Sequence, residues 1–296
     1  MRVATNQFYN TYFNNMQNAE SNIANLQKQI SSGIKTNLIK NDINNGNKIL
    51  HIQNKQNQIL GYKNNIESGI KNLNLADNTL KQITELMQKA RNLVLELGNG
   101  DIIKEDCKNI AGQINDINEQ IINLANTKDE FGNYIFSGTN NNPPYIKNEN
   151  NEYIFNGNNI NNKIKISDNL YIQNKENSFN IFEQINCMQD LNELKNKILN
   201  GDKKYALNEG LNNIDKSLVN LTDIHVNIGV KLNTLNNCLA QNEDLNIYLE
   251  TQLSNLKNTD ILKAVSDLEL NKTLLDASQL AFIKISNTSL INKISI

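Results

Sequence analysis

The sequence predicts a mainly α-helical, elongated protein, a rod of long antiparallel helices carrying a small β insert. Three observations predict it. Apolar residues recur at alternating steps of three and four along most of the chain, the spacing that lines one face of an α-helix. From Gly132 to about Ile181 the period becomes two, as in a strand. Both prolines, Pro143 and Pro144, fall in that middle stretch, so the helical blocks lack the residue that most damages a helix interior.

The first helical block carries Phe8, Tyr12, Met16, Ala19, Ile23, Leu26 and Ile30, and Gly33 suits its end. The second runs from about Ile49 to Leu97. Its seam pairs Ile59 with Tyr62, Ile66 with Gly69, Leu73 with Ala76, Leu80 with Ile83, Met87 with Ala90, and Val94 with Leu97. The turn-forming run Gly98-Asn99-Gly100-Asp101 then interrupts it. The third block holds Ile103, Ile110, Ile114, Ile117, Ile121 and Leu124.

The short runs Tyr134–Phe136, Tyr153–Phe155, Ile164–Ile166 and Leu170–Ile172 read as strands, because Asn and Gly clusters separate them. A fourth helical block follows with Leu207, Leu211, Ile214, Leu218, Leu221, His225, Ile228, Leu232, Leu235 and Leu239, continuing through Leu249, Leu253 and Leu256. A helix of about 50 residues is roughly 75 Å long. After Asn258-Thr259-Asp260, where Thr259 or Asp260 suits a cap, Leu268, Leu275 and Phe282 recur every seven residues, and Leu270, Leu274, Ala277 and Ala281 widen the face.

This order is symmetric about the β insert and predicts three parts. Residues 1–43 with 258–296 form a terminal coiled-coil polymerisation domain. Residues 44–132 with 182–257 form a central helical rod, and 133–181 a small β subdomain. Chain ends ordinarily fray. Stripes at both ends therefore need partners, first each other and then other copies, because a lone helix pair is marginal. Phe8, Tyr12, Met16, Ile23, Leu26, Ile30, Leu268, Leu275 and Phe282 are the expected assembly interface.

Composition narrows the function. With 39% hydrophobic and 6% aromatic residues and no Trp, the core must be thin and built mostly from Ile and Leu. Asn is about a fifth of the chain and alternates with well-phased Ile and Leu, so it fills solvent-facing helix positions rather than forming a prion-like tract. The net charge of -2, with Lys offset by nearby acids, argues against a nucleic-acid partner. No apolar stretch reaches the roughly 18–20 residues that span a bilayer, so no membrane partner is expected. The opening Met-Arg-Val-Ala-Thr-Asn has no apolar region of the kind a Sec-type signal carries.

Catalytic patterns are missing. His51 and His225 lie in different blocks, neither is followed by Glu, and His225 occupies an apolar seam position. Ser137-Gly138 lacks the Gly two residues earlier that a nucleophile elbow needs. Cys107, Cys187 and Cys238 have no metal or disulfide spacing and read as free, partly buried thiols. The acids Asp42, Asp129, Glu130, Glu243 and Asp244 read as solvated or capping charges. No cofactor and no enzymatic activity are expected.

Particular segments resemble the flagellin family of bacterial flagellar proteins, nearest its hook-associated junction members. They are the opening Met-Arg-Val-Ala-Thr-Asn, the segment Ile30-Ser31-Ser32-Gly33-Ile34-Lys35-Thr36-Asn37, and Asn123-Leu124-Ala125-Asn126-Thr127 followed by Gly132-Asn133-Tyr134-Ile135-Phe136-Ser137-Gly138. Ile228-Gly229-Val230-Lys231-Leu232-Asn233 and the closing helix with Asp267-Leu268 and Ala277-Ser278 resemble its C-terminal side. Leu38-Ile39-Lys40-Asn41-Asp42 departs from the family's usual acidic connector and keeps only Asp42.

The resemblance implies a secreted structural subunit of the flagellum, exported unfolded by the type III apparatus with a chaperone on its last helix. It implies a ring of copies between the hook-side junction protein and flagellin. A filament subunit, flagellin itself, is the nearest alternative. A cytoplasmic coiled-coil adaptor is the alternative from another class.

Overall fold

A computed structural model describes residues 2–35, 43–98, 104–147, 153–158, 160, 162–173, 181 and 187–294. The chain order is α1 (Arg2–Ser32), α2 (Ile43–Glu96), α3 (Lys104–Ala125), β1 (Tyr145–Lys147), β2 (Tyr153–Phe155), β3 (Lys163–Lys165), β4 (Tyr171–Gln173), α4 (Cys187–Leu199), α5 (Lys203–Tyr205), a π-helical turn (Ala206–Gly210), α6 (Leu211–Lys257) and α7 (Ile261–Ile294). The mainly α fold with a small β insert is as the periodicity predicts. The chain divides into two compact units, one of Met1–Asn57 with Leu245–Ile296 and one of Gln58–Asp244.

The second unit holds the main core. On α2, Ile59, Tyr62, Ile66, Leu73, Ala76, Leu80, Ile83, Met87, Ala90 and Val94 are buried at the alternating spacing read from the sequence. Leu97 is buried just past the helix end. On α3 the buried face is wider than the Ile stripe, because Cys107, Ala111, Ile122 and Ala125 join it. On α6, Ile214, Ser217, Leu221, Ile224, Ile228 and Leu235 face inward. Polar contacts fix α2 against α6 in antiparallel register. Lys63 Nζ lies 3.0 Å from Glu243, His225 Nδ1 2.8 Å from Asp77, and Arg91 Nε 2.7 Å from Asp215. The seam histidine thus bridges two helices.

The structure corrects the middle of the chain. Tyr134–Phe136 forms no strand; Tyr134 makes one isolated bridge to Lys128, while Ile135 and Phe136 are buried in a compact turn. Gly138, at φ +70°, closes this turn where a Cβ would lie 2.8 Å from the Asn158 carbonyl oxygen. The strand before Tyr153 is Tyr145–Lys147, directly after the prolines. Asn126 holds it, accepting from Tyr145 N and donating to Tyr145 O, both at 3.0 Å.

The strands form two separate antiparallel ribbons, β1 with β2 and β3 with β4. The second ribbon rests on helices through polar groups. Asn65 donates to Lys165 O, Asn242 donates to Ile166 O, and Gln58 and Tyr62 meet Asp168.

Helix α4 falls in the stretch assigned to the helical rod, but no helical block was read there. Met188, Leu191, Leu194 and Ile198 are buried on it against α3. Leu207, read as the start of the fourth block, lies in the π turn before α6. At the start of α7 Asp260, not Thr259, supplies the cap, its carboxylate accepting from Lys263 N at 3.1 Å. Ile103, Asn99–Asp101 and the connector Leu38–Asp42 lie outside the described residues.

Two outcomes follow for the second unit. Leu73→Ala removes a fully buried side chain and is expected to lower unfolding stability by about 2–5 kcal/mol in denaturant titrations. Burial raises the Asp77 carboxyl, but hydrogen bonds from His225 and Lys81 outweigh it and hold it below its ordinary value. The stabilisation is therefore fully present above the ordinary carboxylate range and is lost as pH falls through the depressed native value. Asp77→Asn should flatten the acid limb of the stability–pH curve, and an unchanged limb would show that the pair does not contribute.

Candidate assembly interface

With the start of α2 and the end of α6, the first unit holds α1 and α7, which pack along each other. Their antiparallel pairing is fixed at both ends. At one end, Gly33 leaves α1 at φ +70°, a conformation that suits glycine at a helix C-terminus. Ile34 then bridges Asn258, Lys35 N donates to Lys257 O at 2.8 Å, and Thr259 N donates to Gly33 O at 2.9 Å. Ile34 N donates to Ser32 Oγ, while Lys35 Nζ reaches Asn255 O at 3.3 Å. This clip satisfies backbone groups that the ends of α1 and α6 would leave open. At the other end, the Phe282 ring lies 5.6 Å from Tyr9 edge-on and 6.3 Å from Tyr12.

Between these ends the seam is regular but shallow. Tyr12, Met16, Ile23, Leu26 and Ile30 are half-buried on α1, and Leu268, Leu275 and Phe282 are half-buried on α7. Phe8 belongs to the same helix, α1. Among the described side chains of α7 only Ala264 is fully buried. The steps are three and four on both helices, so one stripe of each meets the other.

Leu270 and Leu274, expected to widen that stripe, point elsewhere. They are exposed, as are Ile261, Leu262, Val265, Leu280 and Ile283. The reason is angular: position 270 is two residues beyond 268 and turns about 200° away from it. Helix α7 is thus apolar on nearly every side, the pattern of a helix that is buried all round. Sequence periodicity missed this because it searches for one face. The clip residues were also missed as functional, although Gly33 was the signal for them.

Elsewhere the chemistry is quiet. Among the described residues no three His, Cys, Asp or Glu side chains gather closely enough to hold a metal ion, and no helix is long and apolar enough to cross a membrane. The three cysteines are free. Burial pushes the Cys187 thiol up to about 12, which keeps it protonated beside Met87 Sδ at 3.9 Å. Ser137 is buried, its hydroxyl satisfied by the Tyr134 and Asn140 carbonyls. A groove of about 650 Å³ beside β2 is lined by Asn115, Asn118, Glu119, Lys147, Tyr153 and neighbours. It brings together carboxamides and dispersed charges, with no nucleophile beside a base.

Residues 3–141 match the family model of the bacterial flagellin N-terminal helical region. Over 98% of both chains the protein is 23% identical to flagellar hook-associated protein 3 of Escherichia coli K12. It is 32% identical to flagellin C of Vibrio cholerae, but over 113 residues, which are 38% of this chain and 30% of that one. The crystal structure of flagellar hook-associated protein 3 from Legionella pneumophila shares the fold, with TM-score 0.64 at 16% identity, covering 70% of this chain and 98% of that one.

Charging the seam should open the first unit and leave the second folded. Leu275→Glu with Phe282→Glu is expected to open α1 from α7 to limited proteolysis while Gln58–Asp244 keeps its helical circular dichroism and its resistance. Loss of helical signal throughout the molecule would contradict that division.

Proposed function

We propose, from the premise that this chain belongs to the flagellin family, that it is the structural subunit forming the junction between hook and filament of the bacterial flagellum. One observation carries the reading. The chain aligns with hook-associated protein 3 over its whole length, whereas its likeness to flagellin C is confined to about a third of it. The finer claims concern how it assembles.

Its terminal helices supply a surface that a single copy leaves half covered. Apolar area withdrawn from water stabilises at roughly 25 cal/mol per Å², so each exposed leucine of α7 favours packing against a neighbouring copy. Assembly then proceeds through Phe8, Tyr12, Met16, Ile23, Leu26, Ile30, Leu268, Leu275 and Phe282 together with the outer face of α7. In this reading residues 1–43 with 258–296 form the polymerising part, 44–132 with 182–257 the helical body, and 133–181 the β part. The reaction is association rather than catalysis.

A junction subunit must meet unlike lattices on its two sides. The partners of this reading are further copies in a ring, the hook-side junction protein and flagellin. Because a flagellar junction lies outside the cell, the chain would be secreted. Export in an unfolded state through the flagellar type III apparatus, with a chaperone covering α7, would keep those leucines from premature association.

Deletion of the coding sequence tests the reading. Cells should build hooks, shed unassembled flagellin into the medium and lose swimming motility. Full-length filaments firmly joined to hooks in the deletion strain would contradict it. Loss of the filament's own bulk protein would instead identify the chain as flagellin.

A further inference from the structure

The break between α6 and α7 contains no strong helix breaker. Asn258, Thr259 and Asp260 alone separate the two helices, and none of them is Gly or Pro. All three are weak helix formers that a helix interior accepts. Asp260 contributes locally to the break by capping Lys263 N. The rest comes from the end of α1. In an uninterrupted helix Lys257 O would accept from Ile261 N, and Thr259 N would donate to Asn255 O. Here Lys35 N donates to Lys257 O, Thr259 N donates to Gly33 O, and Lys35 Nζ donates to Asn255 O at 3.3 Å. Residues 33–35 thus occupy the groups that would carry the helix through.

The broken form leaves one polar group unsatisfied. Thr259 Oγ1 is buried and has no hydrogen-bond partner among the described residues. Threonines inside the helices behave differently. Thr79, Thr84, Thr222, Thr234, Thr251 and Thr273 each donate to the carbonyl four residues earlier. At that spacing Thr259 has Asn255 O, and a helical turn through 258–260 would give it the same bond.

The apolar register also runs through the break. Leu249, Leu253 and Leu256 advance by four and then three. The same alternation carried through 258–260 arrives at Leu270, Leu274, Ala277 and Ala281. Leu270 and Leu274 are the exposed leucines that the α1 seam does not use. Helix α7 therefore carries two stripes. Leu268, Leu275 and Phe282 fit α1, and the second stripe continues that of α6.

We infer that residues 33–35 are a strap holding α6 and α7 apart as two helices, and that release of the strap lets 258–260 turn helical and join them. The two states exclude each other, because the single Thr259 N–H serves either Gly33 O or Asn255 O. Straightening gives up the bonds to α1 and the Asp260 cap. It restores helical partners to Lys257 O and Thr259 N and adds one for Thr259 Oγ1. The device lies within the first unit and does not depend on the junction reading.

NMR carbon shifts at the Cα atoms of Thr259 and Asp260, measured on the full chain, test this. Ile34→Cys with Asn258→Cys gives the locked form. The two residues are an antiparallel pair flanked by the Lys35–Lys257 and Thr259–Gly33 bonds. Such a pair is the close kind, with Cα atoms about 4.5 Å apart, and suits a disulfide. Cys238→Ala removes the half-exposed native thiol, and Cys107 and Cys187 are buried. Gly33→Val with Lys35→Pro gives the released form, straining the turn at φ +70° and removing the donor to Lys257 O.

Both shifts should be non-helical in the oxidised, locked form and helical in the released form. Helical shifts in the locked form, or non-helical shifts in the released form, would overturn the proposal. A second measurement leaves residues 33 and 35 untouched. Added to the locked pair, Asp260→Ala removes the α7 cap and favours helix. The ratio of disulfide to dithiol at a fixed glutathione ratio should then fall about two- to tenfold. An unchanged ratio would overturn the proposal, because the strap and the helical turn would not compete.

Discussion

An amphipathic helix is stable to the extent that its apolar stripe is covered, and this chain covers its stripes unequally. In the second unit α2, α3, α4 and α6 close on one another, and side chains such as Ile66, Leu73, Leu80 and Ile83 are withdrawn from water altogether. In the first unit α1 packs chiefly along α7. Two helices side by side bury one stripe each, and only to half depth. The clip at Gly33–Lys35 and the aromatic contact at Phe282 set the register of that pair. They leave the remaining leucines of α7 in water. On the reading proposed above, the same inequality would separate a part that folds on its own contacts from a part completed by association.

The long helices were legible because one signal dominated them. On α2 each seam residue from Ile59 to Leu97 is buried or nearly so, since alternating steps of three and four leave little choice of face. The middle was less legible because its segments are short and held by side chains. Tyr134–Phe136 has strand composition, but its partners are a tight turn and the core rather than another strand. Tyr145–Lys147 follows two prolines, which discourages a strand assignment. It pairs nonetheless, because Pro144 accepts from Asn156 N and needs no donor of its own there. Helix α4 carried a readable spacing at Met188, Leu191, Leu194 and Ile198, masked by the Asn and Lys between them.

The candidate interface was legible in part. The heptad of Leu268, Leu275 and Phe282 located the seam, whereas the solvent-facing leucines of α7 follow from burial, which periodicity does not report. Asparagine, so abundant here, acts locally. Asn65, Asn126 and Asn242 tie ribbon backbone to helices, replacing the strand partners that two-stranded ribbons lack. A composition that looks repetitive thus serves as a set of specific braces.

Hydrogen exchange read residue by residue, on the isolated chain and on the chain within flagella, tests the central claim most directly. The account predicts slow exchange through α3, α4 and the Gln58–Asp244 parts of α2 and α6 in the isolated chain. It predicts fast exchange in α1 and α7, which become protected only on assembly. Equal, strong protection of α1 and α7 in the isolated monomer would contradict it.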